Sequence, residues 1–217
     1  MSRAVTGSGG SREGAITVVG LGGSLASSST SLAALRIALG GAAAAGAVVE
    51  LLDLRELDLP EFRPDQHDPP KVVADLLRKV HAAQGHLWSS PLYNGTLSGT
   101  FKNAIDWMHL LGTYSPPYLQ DKVVGLISTA GGAYGLQAII TMEFISRSLR
   151  AWAVPLVMPI ARAAQVFDEE GNVRDRLIGE QLQRLGHEVV RAARQMTAHG
   201  TCDYALAGAA SDDVRRA

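Results

Sequence analysis

HLWSSPLYNGTLSGTFKNAIDWM, residues 86–108, joins a short apolar run (Leu87, Trp88) to a small polar loop (Ser89 to Gly95) and then to an amphipathic helix beginning near Ser98. A loop at the carboxyl end of a strand that feeds directly into a helix is where open α/β sheets hold their ligands. Pro91, Asn94, Gly95 and Gly99 give tight turns and exposed backbone N–H groups, which suit a flat polar heterocycle. The two glycines, lacking Cβ atoms, let a ligand approach the main chain closely. Read locally, an ordinary β-to-α connection fits this stretch equally well.

Upstream, Ala15 to Leu21 (AITVVGL) is a continuous apolar, β-branched run of the kind a central parallel strand needs. It opens into Gly22-Gly23-Ser24 and Ser27-Ser28-Ser29-Thr30-Ser31, then a helical pattern with Leu32, Leu35 and Leu39 on one face. Helix N-terminal N–H groups and hydroxyls at such a junction can hold a phosphate without a cationic side chain. A Walker A loop is excluded, since no lysine is present. The G-x-G-x-x-G fingerprint would use Gly20 and Gly22, but Leu25 holds its third glycine position. A flavodoxin-type phosphate loop fits best, with a serine-rich N-cap as the plain alternative.

Val48 to Leu54 reads as a second strand with Asp53 near its end; without the third glycine, Asp53 is expected to be a solvated strand end rather than a ribose ligand. Ala38 to Val49 is expected to hold the end of a helix and a turn. Pro60 to Asp68 is a surface loop, and Asp68-Pro69-Pro70 a helix entry with prolines in the first turn. Val72, Val73, Leu76, Leu77 and Val80 give the second helix its buried face. In the helix after Ser98, Phe101, Ile105 and Met108 pack inward, while Lys102, Asn103 and Asp106 lie on the polar side. Lys122 to Ser128 is the fourth strand and leads into Thr129-Ala130-Gly131-Gly132-Ala133-Tyr134-Gly135. Leu136, Ile139, Ile140, Ile145 and Leu149 form the next helix, and Val154 to Met158 the last strand. Phe167 to Val173 is a tight reversal, and Ile178, Leu182, Leu185 and Val189 line the final helix.

Ser90 to Trp107, SPLYNGTLSGTFKNAIDW, resembles the flavin-contacting signature of the NADPH-dependent FMN reductase family, roughly SPEYNGSxPGxLKNAIDW, with departures at Leu92 and Ser98. The segment after the fourth strand resembles that family's S-x-G-G-x-x-G. The serine-rich loop resembles its G-S-x-R-x-x-S, with Ala26 in place of the arginine that faces the phosphate. The resemblance implies an α/β, flavodoxin-like three-layer sandwich: a five-stranded parallel sheet of order 2-1-3-4-5 with helices on both faces. It implies FMN at the switch point and NADPH or NADH as hydride donor. The phosphate would rest on Ser24, Ser29, Thr30 and Ser31. The ring would lie between Pro91, Leu92, Tyr93, Asn94 and Gly95 on one side and Thr129, Ala130, Gly131, Gly132, Tyr134 and Gly135 on the other. The chemistry then belongs to the flavin, so no catalytic triad or carboxylate pair is needed.

The implied activity is NAD(P)H-dependent FMN reduction, with reduced flavin passing to a partner monooxygenase. Quinone, azo-dye or metal-oxyanion reduction and a non-enzymatic electron carrier are the alternatives; carriers are usually strongly acidic. A Rossmann dehydrogenase without FMN is a third reading. The family likeness also implies a homodimer or homotetramer, with Lys102, Asp106 and the rigid Tyr114–Tyr118 loop as interface candidates; that loop fits a cap on the flavin site of its own or a neighbouring subunit, or plain surface, equally well.

The composition bounds these readings. The 217 residues suit one α/β domain, residues 15–198, between a flexible tail at 1–14 and a disordered one at 199–217. A net charge of −1 argues against nucleic acid or anionic membrane as the main partner. No apolar run approaches the ~20 residues of a membrane span. A single cysteine, Cys202, excludes disulfides within the chain, fits a reducing cytoplasm and is not expected to be catalytic. The histidines show no metal-binding spacing, so no metal is expected.

Overall fold

A computed structural model describes residues 14–198. The expected tails (Gly14 apart) and Cys202 lie outside the described residues. Five parallel strands form the sheet: β1 (Thr17–Gly22), β2 (Val48–Asp53), β3 (Gly85–Tyr93), β5 (Val123–Thr129) and β6 (Trp152–Ile160). A two-residue strand β4 (Thr96–Leu97) lies off this path, and the order β2-β1-β3-β5-β6 is the expected 2-1-3-4-5 once β4 is set aside. β1 and β5 are apolar nearly throughout because helices cover both faces of the sheet. At the edge, β6 carries Pro155 and Pro159, which cannot donate to a ladder and so block a further strand.

One face is covered by α1 (Thr30–Ala44) and α7 (Arg176–Ala198), whose core includes Leu35, Leu39, Leu182, Leu185 and Val189. The other is covered by α3 (Lys71–Ala82), α4 (Gly99–Trp107) and α5 (Leu136–Ser148), packed around Trp88, Phe101 and Trp107. Short helices α2 (Leu54–Leu57) and α6 (Ala163–Val166) and a 3₁₀ turn at Met108–Thr113 fill the connections.

The helix end and turn expected over Ala38 to Val49 are found: α1 closes at Ala44, and a turn at Ala45-Gly46 leads into β2. Gly41 is needed for contact, since a Cβ there would lie 2.1 Å from the Gln183 carbonyl oxygen of α7. Other sequence expectations are corrected. Asp53 is not solvated. It is 5% exposed and accepts a 3.0 Å hydrogen bond from the Arg55 amide, capping α2. At the α3 entry, Asp68 does not cap; Pro70 holds the N-cap position and the prolines precede the first turn. In α5, Leu136 and Ile140 face outward beside Phe144, while Ala138, Ile139 and Met142 pack inward.

His86 lies inside β3, fully buried, and its Nε2 has no hydrogen-bond partner among the described residues. Burial, with the Lys122 charge as the smaller cause, pushes its pKa down to about 3. The loop at Tyr114–Tyr118 packs against the end of α3, where the His81 ring meets Tyr114 at 4.9 Å and its Nε2 lies 2.8 Å from the Pro116 oxygen. That is the amino-terminal end of the sheet, so the loop does not cap the ligand loops of its own chain.

Candidate functional site

β3 runs four residues beyond the end of β1, whose pairing stops at Gly22↔Ser89. The stretch from Ser89 to Gly95 is therefore strand and hairpin rather than an irregular loop: Leu92 and Tyr93 pair antiparallel with Leu97 and Thr96 of β4. Asn94 (φ 48°) and Gly95 (φ 89°) occupy the left-handed conformations that a two-residue hairpin turn of the Asn-Gly kind requires. Pro91 is buried opposite Thr129, Leu92 is half-buried, and Tyr93 is 52% exposed on the rim.

The loop after β1 is held down by its own hydroxyls. Ser24 is buried and accepts from the Ala26 amide at 3.2 Å. Ser29 caps α1 by accepting from Leu32 at 3.1 Å, and its Oγ lies 3.0 Å from that of Ser31. The first amides of α1, Thr30 and Ser31, have no acceptor within the helix, as at any helix start.

Direct contacts draw the loops together. The Gly23 amide donates to the Ser89 carbonyl at 2.9 Å, and the Ser89 hydroxyl donates to the Ser31 carbonyl at 2.8 Å. Thr30 Oγ1 donates to Thr129 Oγ1 at 3.3 Å, joining the serine loop to the end of β5. Ser98 is the centre of the arrangement. Its hydroxyl donates to the Gly23 carbonyl and accepts from the Phe101 amide at 3.1 Å, while its own amide donates to Ser90 Oγ at 3.0 Å. Proline at this position would lack both the hydroxyl and the N–H. In the sequence Ser98 is a helix start and a departure from the family pattern, and a serine ahead of an amphipathic run is the signal of its N-cap role.

After β5, Thr129 and Ala130 are buried and the chain then emerges. Ala130 exchanges main-chain bonds with the end of β6, donating to Ile160 and accepting from Ala163, both at 2.9 Å. A Cβ added at Gly95, Gly99, Gly131 or Gly132 would meet nothing within 4 Å, so these positions border open space. Gly23 and Gly135 differ: a Cβ on Gly23 would lie 2.7 Å from Phe101, and one on Gly135 3.4 Å from Pro159 and Ile160. Tyr134 stands 72% exposed beside the open glycines. All fifteen residues expected at the ligand thus lie on the carboxyl edge of β1, β3 and β5. Lys102 and Asp106, expected at a subunit interface, pair with each other at 2.6 Å on the outer face of α4.

Hydroxyls and helix-start amides at one loop, and open glycines and a free aromatic at the other two, all lie at the strand-order reversal of a flavodoxin-like sheet, where such sheets hold their ligands. Residues 16–165 match the NADPH-dependent FMN reductase family model, and the chain belongs to that family. It is 28% identical over 160 residues to the NADPH-dependent FMN reductase ArsH of Acidithiobacillus ferrooxidans, covering 73% of this chain and 65% of that protein. It therefore spans less than two thirds of that relative's length. It is 31% identical over 185 residues to an NADPH:quinone oxidoreductase of Arabidopsis thaliana, covering 78% of this chain and 88% of that one. The fold matches the flavoenzyme FerB of Paracoccus denitrificans with a TM-score of 0.67 at 24% identity, over 83% of this chain and 98% of that one. Among the described residues no cluster of His, Cys, Asp or Glu could hold a metal ion, and no helix is long and apolar enough to cross a membrane.

Proposed function

We propose that this protein is an NAD(P)H-dependent FMN reductase that passes reduced flavin to a partner monooxygenase in the cytoplasm. The observation that carries the reading is the joining of the three loops into one cradle, through Thr30–Thr129 and Ser98–Gly23, with the glycine edges left open. The residues present fit FMN. The hydroxyls of Ser24, Ser29, Thr30 and Ser31 and the first amides of α1 suit a phosphate. The main chain at Gly95, Gly131 and Gly132 is bare enough for a flat ring to lie against it. When bound, the flavin accepts hydride and supplies the redox chemistry. The protein's part is to orient the ring, offer hydrogen bonds from the Asn94–Gly95 turn and the 129–135 loop, and leave one ring face open to the nicotinamide. Tyr134, exposed beside the open glycines, would close over that face when the nicotinamide is absent.

Quinone reduction is the second reading for the acceptor, favoured by the Arabidopsis relative's name and its coverage, and by the exposed apolar rim of Leu25, Tyr93 and Tyr134. A dimer or tetramer is part of the proposal. The exposed stripe Leu136, Ile140 and Phe144 on α5 supports it better than Lys102 and Asp106, which satisfy each other. The test is NADPH oxidation with and without added FMN, using quinones as parallel acceptors. FMN-dependent turnover is expected. Activity at background with every acceptor would leave an electron carrier as the better account.

A further inference from the structure

The cradle lacks positive charge. The connections after β1, β3 and β5 (residues 23–29, 94–98 and 130–135) contain no lysine or arginine, although a phosphate monoester brings about two negative charges. Cations do occur after the flanking strands: Arg55 beyond β2 and Arg162 beyond β6.

Arg162 is the unusual one. It sits in the left-handed conformation (φ 47°, ψ 46°), which glycine would adopt without strain. Its amide donates to the Gly132 carbonyl at 2.9 Å, and the next amide, Ala163, donates to Ala130 at 2.9 Å. The Arg162–Ala163 backbone is thereby clamped to the glycine loop at Gly132 and Ala130, and Ala130 follows Thr129, whose hydroxyl touches Thr30 of the serine loop at 3.3 Å. The same segment reaches back to the serine loop further on, where Ser28 donates to the Glu169 carbonyl. The side chain is exposed, and among the described residues its guanidinium makes no ion pair or hydrogen bond. Arg55 and Arg36 line a hollow bordered by Ser27 to Thr30, but Asp53, Asp168, Glu169 and Glu170 line it as well, so carboxylates outnumber the two cations there.

We propose that Arg162 supplies the phosphate-directed cation that the serine loop lacks, holding a phosphoryl group of the bound nucleotide from the β6 side of the cradle. This rests on the FMN reductase reading above. The phosphoryl group belongs either to FMN or to NADPH, and the same variants distinguish the two. A guanidinium can grip a phosphate with two parallel N–H donors.

The test is titration of wild type, Arg162→Gly, Arg162→Lys and Arg55→Gln with FMN and with riboflavin, followed by KM for NADPH and NADH. Arg162→Gly keeps the left-handed backbone and removes the charge, so its melting temperature should equal or exceed that of wild type. If the cation serves FMN, its FMN Kd rises about ten- to a hundredfold with riboflavin binding unchanged, and Arg162→Lys recovers part of the loss. If it serves the dinucleotide, FMN binding holds and KM for NADPH rises about tenfold. The proposal is overturned if Arg162→Gly matches wild type in both, if riboflavin weakens as much as FMN, or if Arg55→Gln alone produces the loss. Failure of wild type itself to bind FMN would instead remove the functional reading.

Discussion

The crossing of α1 and α7 and the rim above β3 and β5 both depend on glycine, for opposite reasons. At the crossing, a Cβ on Gly186 would lie 2.0 Å from the Ala38 carbonyl oxygen, and one on Gly41 2.1 Å from that of Gln183. The helices are backbone against backbone, with no room for a methyl group. At the rim, Gly131 and Gly132 have nothing within 4 Å of the same built atom. One pair is glycine because the protein is already there; the other leaves space that the protein does not fill. On the function proposed above, the empty approach at the sheet's carboxyl edge is kept for a ligand, whereas the collision belongs to packing.

That contrast breaks most sharply under Gly186→Ala. With backbone atoms in the way, the helices must separate, costing about 3 kcal/mol in urea unfolding. Gly131→Ala should leave stability within about 0.5 kcal/mol of wild type while weakening FMN binding about tenfold, or 1.4 kcal/mol. Equal stability losses in the two variants would erase the distinction. Ser98→Ala comes next in size. Loss of the α4 cap should cost about 1–2 kcal/mol, and because Ser98 also fixes Gly23, FMN affinity should fall with it.

His86 sharpens the same contrast from the packed side. Its native pKa is pushed down to about 3 from an ordinary 6.5, so the native state stays neutral where the unfolded chain takes up a proton. Its effect is absent above the unfolded value, and stability then declines as pH falls from 6.5 toward 3, by about 1.4 kcal/mol per pH unit. Urea unfolding between pH 6.5 and 5 should show that slope in wild type and lose it in His86→Leu. An unchanged slope in the variant would assign it to other groups. Smallest of the effects, Thr30→Val should cost about 0.5–1.5 kcal/mol through the lost Thr129 contact and should loosen FMN more than riboflavin.

The sheet was readable because its strands are continuous β-branched runs, AITVVGL and KVVGLIS, separated by helices with one apolar face. Strand order followed from the family likeness, and the three ligand loops from glycine and serine set after those runs. What stayed hidden depended on distant partners. The role of Gly41 is one example, since only the approach of α7 explains a glycine there. Asp53 looked solvated because α2, a single turn, leaves little pattern, and the hairpin at Asn94-Gly95 was folded into a loop although its dipeptide is a turn signal. The left-handed Arg162 left no trace in the sequence, since an arginine after an apolar strand reads as ordinary surface.

The most direct measurement of the central claim is a titration of the purified protein with FMN, read by flavin fluorescence and by the melting temperature. Three converged loops that hold the flavin should change its fluorescence saturably, and FMN at a hundred times its Kd should add about 2.7 kcal/mol of stability. Fluorescence and melting that stay unmoved at high micromolar FMN would contradict it and leave the cradle as inherited scaffold.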